Sequence, residues 1–244
     1  MKKTLSLLIP IVIFPLTLFS QEKDTSGIKT TYKFDLTGVV TNVNGISKTI
    51  VNSSAANTVK WKKFESTLGT DYQLMSDNGV NAVNDFTLRV QPRIVEKHYS
   101  VFSFGQLSSL ESKKITQRFE GGLGGGRTLF KKRYLESTLS YAMLYYNNNF
   151  QDLTHRDGFR HSPRFQAWGK MEDYKISYSF EIFYQPATSD LNDYILRSKT
   201  VMGFDLSKKF TITASYTSWY ESYYAIGSRN NVKTFTFGTS YKID

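Results

Sequence analysis

The sequence predicts an all-β protein, a transmembrane up-and-down antiparallel β-barrel of about 12 strands. Three observations lead to this prediction. Apolar and polar residues alternate along the chain, short and long connections alternate between the resulting segments, and aromatic residues cluster near both kinds of connection. All three are typical of bacterial outer-membrane barrels, in which each strand turns one face to lipid and the other to the lumen.

The alternation of apolar and polar residues is clearest at 176–185. There every second residue is apolar or aromatic, the residues between them are polar, and Phe183 is the exception. Successive side chains of a β-strand point to opposite faces, so such a segment places one face against lipid. Similar stripes recur from 32 to 243, and helical spacing fits none of them.

Two kinds of connection alternate between these segments. Short charged turns are predicted at 62–63, 96–97, 131–132, 172–173 and 208–209. Longer polar loops are predicted at 41–47, 75–84, 109–117, 147–161, 185–194 and 222–231. Outer-membrane barrels have short periplasmic turns and longer external loops, so this order predicts six hairpins with both termini in the periplasm.

Aromatic residues form two groups that match the two interfaces of a membrane. The group near the short turns contains Trp61, Phe64, Tyr99, Tyr134, Tyr174, Phe210 and Tyr241. The group near the long loops contains Tyr72, Tyr145, Tyr184, Tyr194, Tyr220 and Tyr223.

The first residues have the features of a cleaved secretory signal peptide. Lys2 and Lys3 precede a short, proline-interrupted apolar stretch that ends at the small residue Ser20. The chain has no cysteine, so neither disulfides nor a lipid anchor at the cleavage site is available. We therefore expect a signal peptide at 1–20, a short periplasmic segment at 21–28 and the transmembrane barrel at 29–244.

The charge of the chain limits its partners. The net charge is +10, and it is +8 without Lys2 and Lys3, because 29 basic and 21 acidic residues then remain. An exported barrel in the outer membrane meets lipid and lipopolysaccharide but little nucleic acid, so the basic excess indicates lipopolysaccharide phosphates, small anionic solutes or acidic polysaccharide. A solvated basic surface explains the charge equally well. We expect a monomer.

Charged residues between the apolar positions are predicted to line the lumen. Basic side chains there would favour anions, whereas pairing with acidic neighbours would instead hold a closed barrel rigid, and both hypotheses stay open. The pattern also assigns Lys233 to this face. The lumen-lining candidates are Arg89, Arg93, Arg160, Arg164, Arg197, Lys199, Glu136 and Glu181.

The glycine-rich segment GGLGGGRT at 121–128 has the outline of a phosphate-binding loop. Arg127 replaces the lysine that such a loop needs, and a strand follows where the motif requires a helix. Glycine in a barrel strand more often permits curvature or close backbone approach, and neighbouring rings can then cover the gap. We therefore predict no nucleotide and no other cofactor.

An outer-membrane hydrolase acting on lipid or lipopolysaccharide acyl groups is the alternative function. His155 or His161 could pair with Ser162 and Asp157, although polar residues of loops are usually only solvated. Metal binding by His155, Asp157 and His161 is weaker still, because their spacing matches no ligand motif. We assign no catalytic residue and no metal ligand, and expect no enzyme.

The segments RFEGGLGGGRTLF and YLESTLSYAMLYY, with the strand series around them, resemble the salt-induced outer-membrane proteins, a family also labelled a domain of unknown function. The resemblance implies a small outer-membrane barrel without an established activity, and it supplies no site residue. We expect an envelope structural protein or a narrow channel for small or anionic solutes.

Overall fold

The computed structural model describes residues 27–43, 46–77, 80–171, 173, 175–223 and 230–243. The predicted signal peptide lies outside these residues. Within them, 12 antiparallel strands form one closed barrel, in which each strand pairs with its neighbours in sequence. The strands are β1 (Ile28–Val43), β2 (Ile46–Trp61), β3 (Phe64–Asp77), β4 (Val80–Glu96), β5 (Tyr99–Leu110), β6 (Ile115–Lys132), β7 (Leu135–Phe150), β8 (His155–Met171), β9 (Ile176–Pro186), β10 (Tyr194–Asp205), β11 (Phe210–Glu221) and β12 (Asn231–Ile243).

The barrel closes between its first and last strands. β1 pairs with β12 from Tyr32 opposite Ile243 to Gly38 opposite Phe237. Closure leaves no sheet edge, so the strands satisfy their backbone hydrogen bonds within the barrel, as a membrane requires. The predicted fold class, strand number and up-and-down order are confirmed.

The described short turns lie at the end of the barrel that holds both termini, whereas the turn predicted at 172–173 lies partly outside the described residues. Lys62 and Lys97 occupy turn positions with left-handed backbone angles, at φ of 53° and 51°. Two turns lie one or two residues beyond their predicted places, at 97–98 and 133–134. The lysines at 131–132 are the last residues of β6, because a charged side chain at the membrane surface does not by itself end a strand.

The predicted long loops are mostly wrong in extent. The 15 residues of 147–161 contain the end of β7 and the start of β8, which leaves only 151–154 as a turn. Polar side chains in this region bond across the strands, as in His155 to Asn149 at 2.8 Å. The polar residues of this segment therefore belong to strands that extend to the external rim of the barrel, where their side chains meet water. A longer connection remains at 187–193, and most of the predicted loop at 222–231 lies outside the described residues.

The outer surface of the barrel is apolar. Large side chains point outward along every strand, and Leu123, for example, is 71% exposed. A continuous exposed apolar surface of this kind is unfavourable in water and fits a lipid environment. Separately, the described residues include no helix that could span a membrane.

Aromatic rings lie at both ends of this surface, as predicted, although Tyr174 of the predicted group near the short turns lies outside the described residues. Near the external rim, the ring centroid of Tyr194 lies 5.5 Å from that of Tyr184 and 5.4 Å from that of Tyr220. Tyr223 differs, because it follows the inward-facing end of β11 and packs 3.9 Å from the Arg156 guanidinium.

The glycine-rich segment lies inside β6 and forms a strand without a following helix, so it is not a phosphate-binding loop. The Phe102 ring occupies the space that a side chain would need at Gly124, with its Cζ 2.7 Å from an ideal Cβ position. A neighbouring ring thus covers Gly124, whereas the nearest atoms at Gly122, Gly125 and Gly126 belong to backbone and to non-aromatic side chains.

Cysteine labelling tests the orientation of the barrel. Leu191, in the 187–193 connection, is exposed, and so is Lys208, in the turn between β10 and β11. The chain has no cysteine of its own. We expect Leu191→Cys to react with a membrane-impermeant maleimide on intact cells, and Lys208→Cys to react only after the outer membrane is permeabilised. The reverse pattern would mean that the termini face outward.

Candidate functional site

The lumen is packed unevenly around its circumference. On the side formed by β1 to β4, ion pairs remain accessible to water: the side chains of Arg89 and Asp71 are about half exposed. On the opposite side, charged groups of β6, β8 and β11 and of the neighbouring connections are buried and paired. Side chains from one wall cannot fill the lumen of a 12-stranded barrel, so solvent can enter the lumen along the accessible side.

A buried charge network surrounds Glu221 at the external end of β11. Arg118 Nη1 donates to Glu221 Oε1 at 3.0 Å, and Lys113 Nζ lies 3.4 Å from the other oxygen. Trp219 Nε1 also donates to Glu221, at 3.0 Å, and its ring lies 4.1 Å below the Lys113 ammonium. Burial lowers the pKa of Lys113, in the connection between β5 and β6, to about 8.

An apolar cluster fills the external rim of the barrel beside this network. Leu110, Ile115 and Phe150 are buried together, and the partly buried Trp219 packs against them. The rim of the barrel near β5, β6, β7 and β11 is therefore filled by side chains.

A second network fixes the connection between β9 and β10. Arg160 Nη2 donates to both Asp193 carboxylate oxygens, at 2.9 and 3.1 Å, and Arg160 Nη1 donates to the Gln185 and Asp193 carbonyls. Arg156 lies 2.6 Å from the same carboxylate. Asp193 is buried, so these contacts hold the 187–193 connection against the barrel wall.

A cavity of about 270 Å³ lies in the lumen next to these networks. Its cationic lining residues outnumber the acidic ones by four to two, so its charge is positive. Aromatic and apolar side chains from β5, β7 and β9 form much of the remaining wall. The charged lining residues are Arg89, Arg164, Arg197, Lys199, Glu120 and Glu181.

The cations of the cavity are compensated to different degrees. Arg164 donates to Glu181. Arg197 is 3.6 Å from Glu120, beyond hydrogen-bonding distance, and its guanidinium stacks 3.9 Å from the Trp219 ring. Lys199 is exposed to the cavity and has neither an ion pair nor a hydrogen bond among the described residues.

The eight lumen-lining candidates all lie on the inward face of their strands, but in different surroundings. Arg93 pairs with Glu65 at 2.6 Å, and Glu136 pairs with Lys131 at 3.2 Å, both away from the cavity. Arg160 is bound to Asp193 and only 3% exposed. The cavity itself is lined by Arg89, Arg164, Arg197, Lys199 and Glu181.

The assignment of Lys233 to the lumen is wrong. Lys233 pairs across the sheet with Ser218 and has the same parity as Phe235 and Phe237, whose rings lie on the exposed outer surface. Because side chains alternate along a strand, Lys233 faces outward with them.

Sequence reasoning missed the residues that close the rim, since it placed most of them in solvated loops. The parity of two strands could have identified four of these residues. Trp219 and Glu221 continue the inward parity of β11, and Arg118 and Glu120 do the same before the glycine-rich segment of β6.

The residues of the hydrolase hypothesis do not come together. His161 faces outward, with Nδ1 2.6 Å from the Tyr141 hydroxyl, whereas Ser162 faces the lumen and accepts from Gln185 at 3.1 Å. His155 and Asp157 form an exposed pair at 3.4 Å. Neighbouring residues of a strand point in opposite directions, so Ser162 and His161 share no site. In the described ranges, no group of three metal-ligating side chains is close enough to hold an ion.

The closed 12-stranded barrel, with its apolar exterior and charged lumen, is the fold of a β-barrel protein of the bacterial outer membrane. Within that class, the chain belongs to the family described as protein of unknown function, DUF481, whose model matches residues 46–243. No curated protein matches the chain.

Solved structures share the fold at low identity. The chain is similar to the NanC porin, with a TM-score of 0.56 and 11% identity, over 86% of this chain and 100% of that one. It is also similar to an outer-membrane channel from Pseudomonas putida F1, with a TM-score of 0.54 and 9% identity, over 91% of this chain and 97% of that one. At such identities the likeness concerns the fold alone.

Proposed function

We propose that this protein is a narrow outer-membrane channel that favours small anionic solutes over cations. The observation that carries the proposal is the positive cavity in the lumen, with Lys199 unpaired and Arg197 incompletely paired among the described residues. Fixed positive charge on a narrow aqueous wall attracts anions and repels cations.

The accessible side of the lumen supports a path for these solutes. Arg89, whose side chain is half exposed, lines the cavity from β4, and Arg93 lies four residues further toward the periplasmic turns. Residues four apart on one strand lie about 13–14 Å from each other on the same face. The path would therefore run along β4, opposite the packed networks.

A closed structural barrel is the second candidate. The buried networks around Glu221 and Asp193 favour it, since they fill the external rim on one side. In both cases we propose a monomer surrounded by outer-membrane lipid, with lipopolysaccharide phosphates near exposed basic residues such as Lys233. The narrower family assignment, to the salt-induced outer-membrane proteins, stays a prediction.

Substitution of Lys199 tests the channel. Lys199→Gln should fold normally, because Lys199 has no partner among the described residues, and should lower the chloride-to-potassium permeability ratio roughly twofold in planar bilayers. The matched control is Lys208→Gln, at the exposed periplasmic turn, which should leave the ratio unchanged. The difference should shrink at high salt, because the screening length falls from about 10 Å at 0.1 M to about 3 Å at 1 M. An unchanged ratio in Lys199→Gln at low salt would contradict the assigned path.

A further inference from the structure

We infer that the lumen cavity is a binding site for a small organic carboxylate with a flat apolar body. The inference rests on the proposed function and names the class of solute. It depends on three properties of the cavity: a pair of incompletely compensated cations, an aromatic wall and a small volume.

Arg197 and Lys199 form the cationic side. They are two residues apart on β10, so they share a face and their backbones are about 7 Å apart. Among the described residues, the buried Nε and Nη2 atoms of Arg197 have no hydrogen-bond partner, and Lys199 has neither an ion pair nor a hydrogen bond. A carboxylate between the two side chains would supply the missing counter-charge, and arginine is well suited to bind it.

The aromatic side comes from β5 and β9. Phe102 and Phe104 lie opposite Gly124 and Gly122 in the neighbouring strand, and the Phe102 ring packs over Gly124. Phe183 lines the cavity separately from β9, with the Arg164 guanidinium 4.6 Å from its ring. Aromatic faces bind flat apolar groups, and pockets of this composition take organic ligands in preference to fully hydrated inorganic ions.

The volume of the cavity limits the size of its ligand. Pockets for drug-sized molecules measure about 300–1,000 Å³. At about 270 Å³ the cavity falls just below that range, so it fits one small ring or a short branched chain with its carboxylate.

Trp219 provides a reporter, because the Arg197 guanidinium lies 3.9 Å from its ring. The chain has three tryptophans, so Trp61→Phe and Trp168→Phe leave Trp219 as the sole source of tryptophan fluorescence. We expect benzoate to change this fluorescence saturably in the full barrel in detergent. Its dissociation constant should be at least about tenfold below those of acetate and inorganic phosphate, because only benzoate buries a ring.

Two variants separate the contribution of the cationic side of the cavity from that of the aromatic side. Lys199→Gln should weaken benzoate and acetate together, whereas Phe104→Leu should weaken benzoate and leave acetate unchanged. Phe183→Leu repeats the second test if Phe104→Leu fails to fold, and Lys208→Gln is the control that should bind as the parent does. Equal affinities for benzoate and acetate, or an unaltered affinity in Lys199→Gln, would overturn the inference.

This binding experiment is independent of conduction. Anion-selective current without benzoate binding would reject the carboxylate site and leave the channel standing. Benzoate binding without current would reject the channel and leave a barrel that holds the ligand.

Discussion

Replacement of Glu221 by glutamine is expected to destabilise the barrel by roughly 3–5 kcal/mol, the usual effect of removing one partner of a buried charge pair. Glu221 is 4% exposed and neutralises Arg118 and Lys113, both of which are also buried. Glutamine keeps the shape of the side chain and one acceptor oxygen, but it removes the negative charge that both cations contact. The loss therefore measures electrostatic compensation and not packing.

Urea unfolding of the protein in lipid vesicles, followed by tryptophan fluorescence and by heat-modifiable migration on gels, would measure this change. The control is Glu96→Gln, whose partner Lys63 lies at 2.7 Å but whose pair is about 60% exposed on both sides. Exposed pairs contribute at most about 1 kcal/mol, so the control should be close to the wild type. Similar losses in the two variants would show that the rim around Glu221 is solvated.

Placement of an arginine at Phe180 is expected to cost about 2–4 kcal/mol of folding free energy in a bilayer, because a charge on the lipid face is most unfavourable near the midplane. Phe180 lies near the middle of β9, faces outward and contacts the Phe165 ring at a centroid distance of 6.4 Å. The folded fraction recovered in vesicles of a phosphatidylcholine of matching thickness would measure the cost.

Ser179→Arg is the matched variant for the lumen face. Ser179 pairs across the sheet with Trp168 and Val201, and all three side chains point inward. An arginine there reaches the hydrated lumen, so folding should fall much less than in Phe180→Arg. Equal loss in the two variants would mean that the outer surface of the barrel is not the lipid surface.

The fold could be predicted because a period of two along a strand is a local property of the sequence. The segment at 176–185 needs no distant information to show which of its faces is apolar, and the exception, Phe183, is an inward ring that stacks under Arg164. The ends of the strands were harder to predict. Polar residues such as Asn149 and His155 give the same sequence pattern in a loop as in a strand that projects into water.

The site could be predicted only in part. Parity along each strand placed Arg89 and Lys199 inward, but it does not specify which cation meets which acid. Those pairs depend on the closure of the barrel, which brings Arg118 against Glu221, 103 residues away in sequence.

Arg160 illustrates why the parity of a strand does not identify the partner of a charged residue. On the sequence alone it resembles Arg164 as a wall cation, yet it binds Asp193, 33 residues away, and anchors the 187–193 connection. Its substitution would loosen that connection, whereas substitution of the unpaired Lys199 would change the potential of the lumen.

The most direct measurement of the central claim is the reversal potential of the wild-type barrel in a planar bilayer under a gradient of potassium chloride. The positive cavity predicts a small, stable conductance whose reversal potential shifts toward the chloride equilibrium potential, and a shift that diminishes as the salt concentration rises on both sides. A folded barrel that passes no current, or one whose reversal potential moves toward the potassium equilibrium potential, would contradict it.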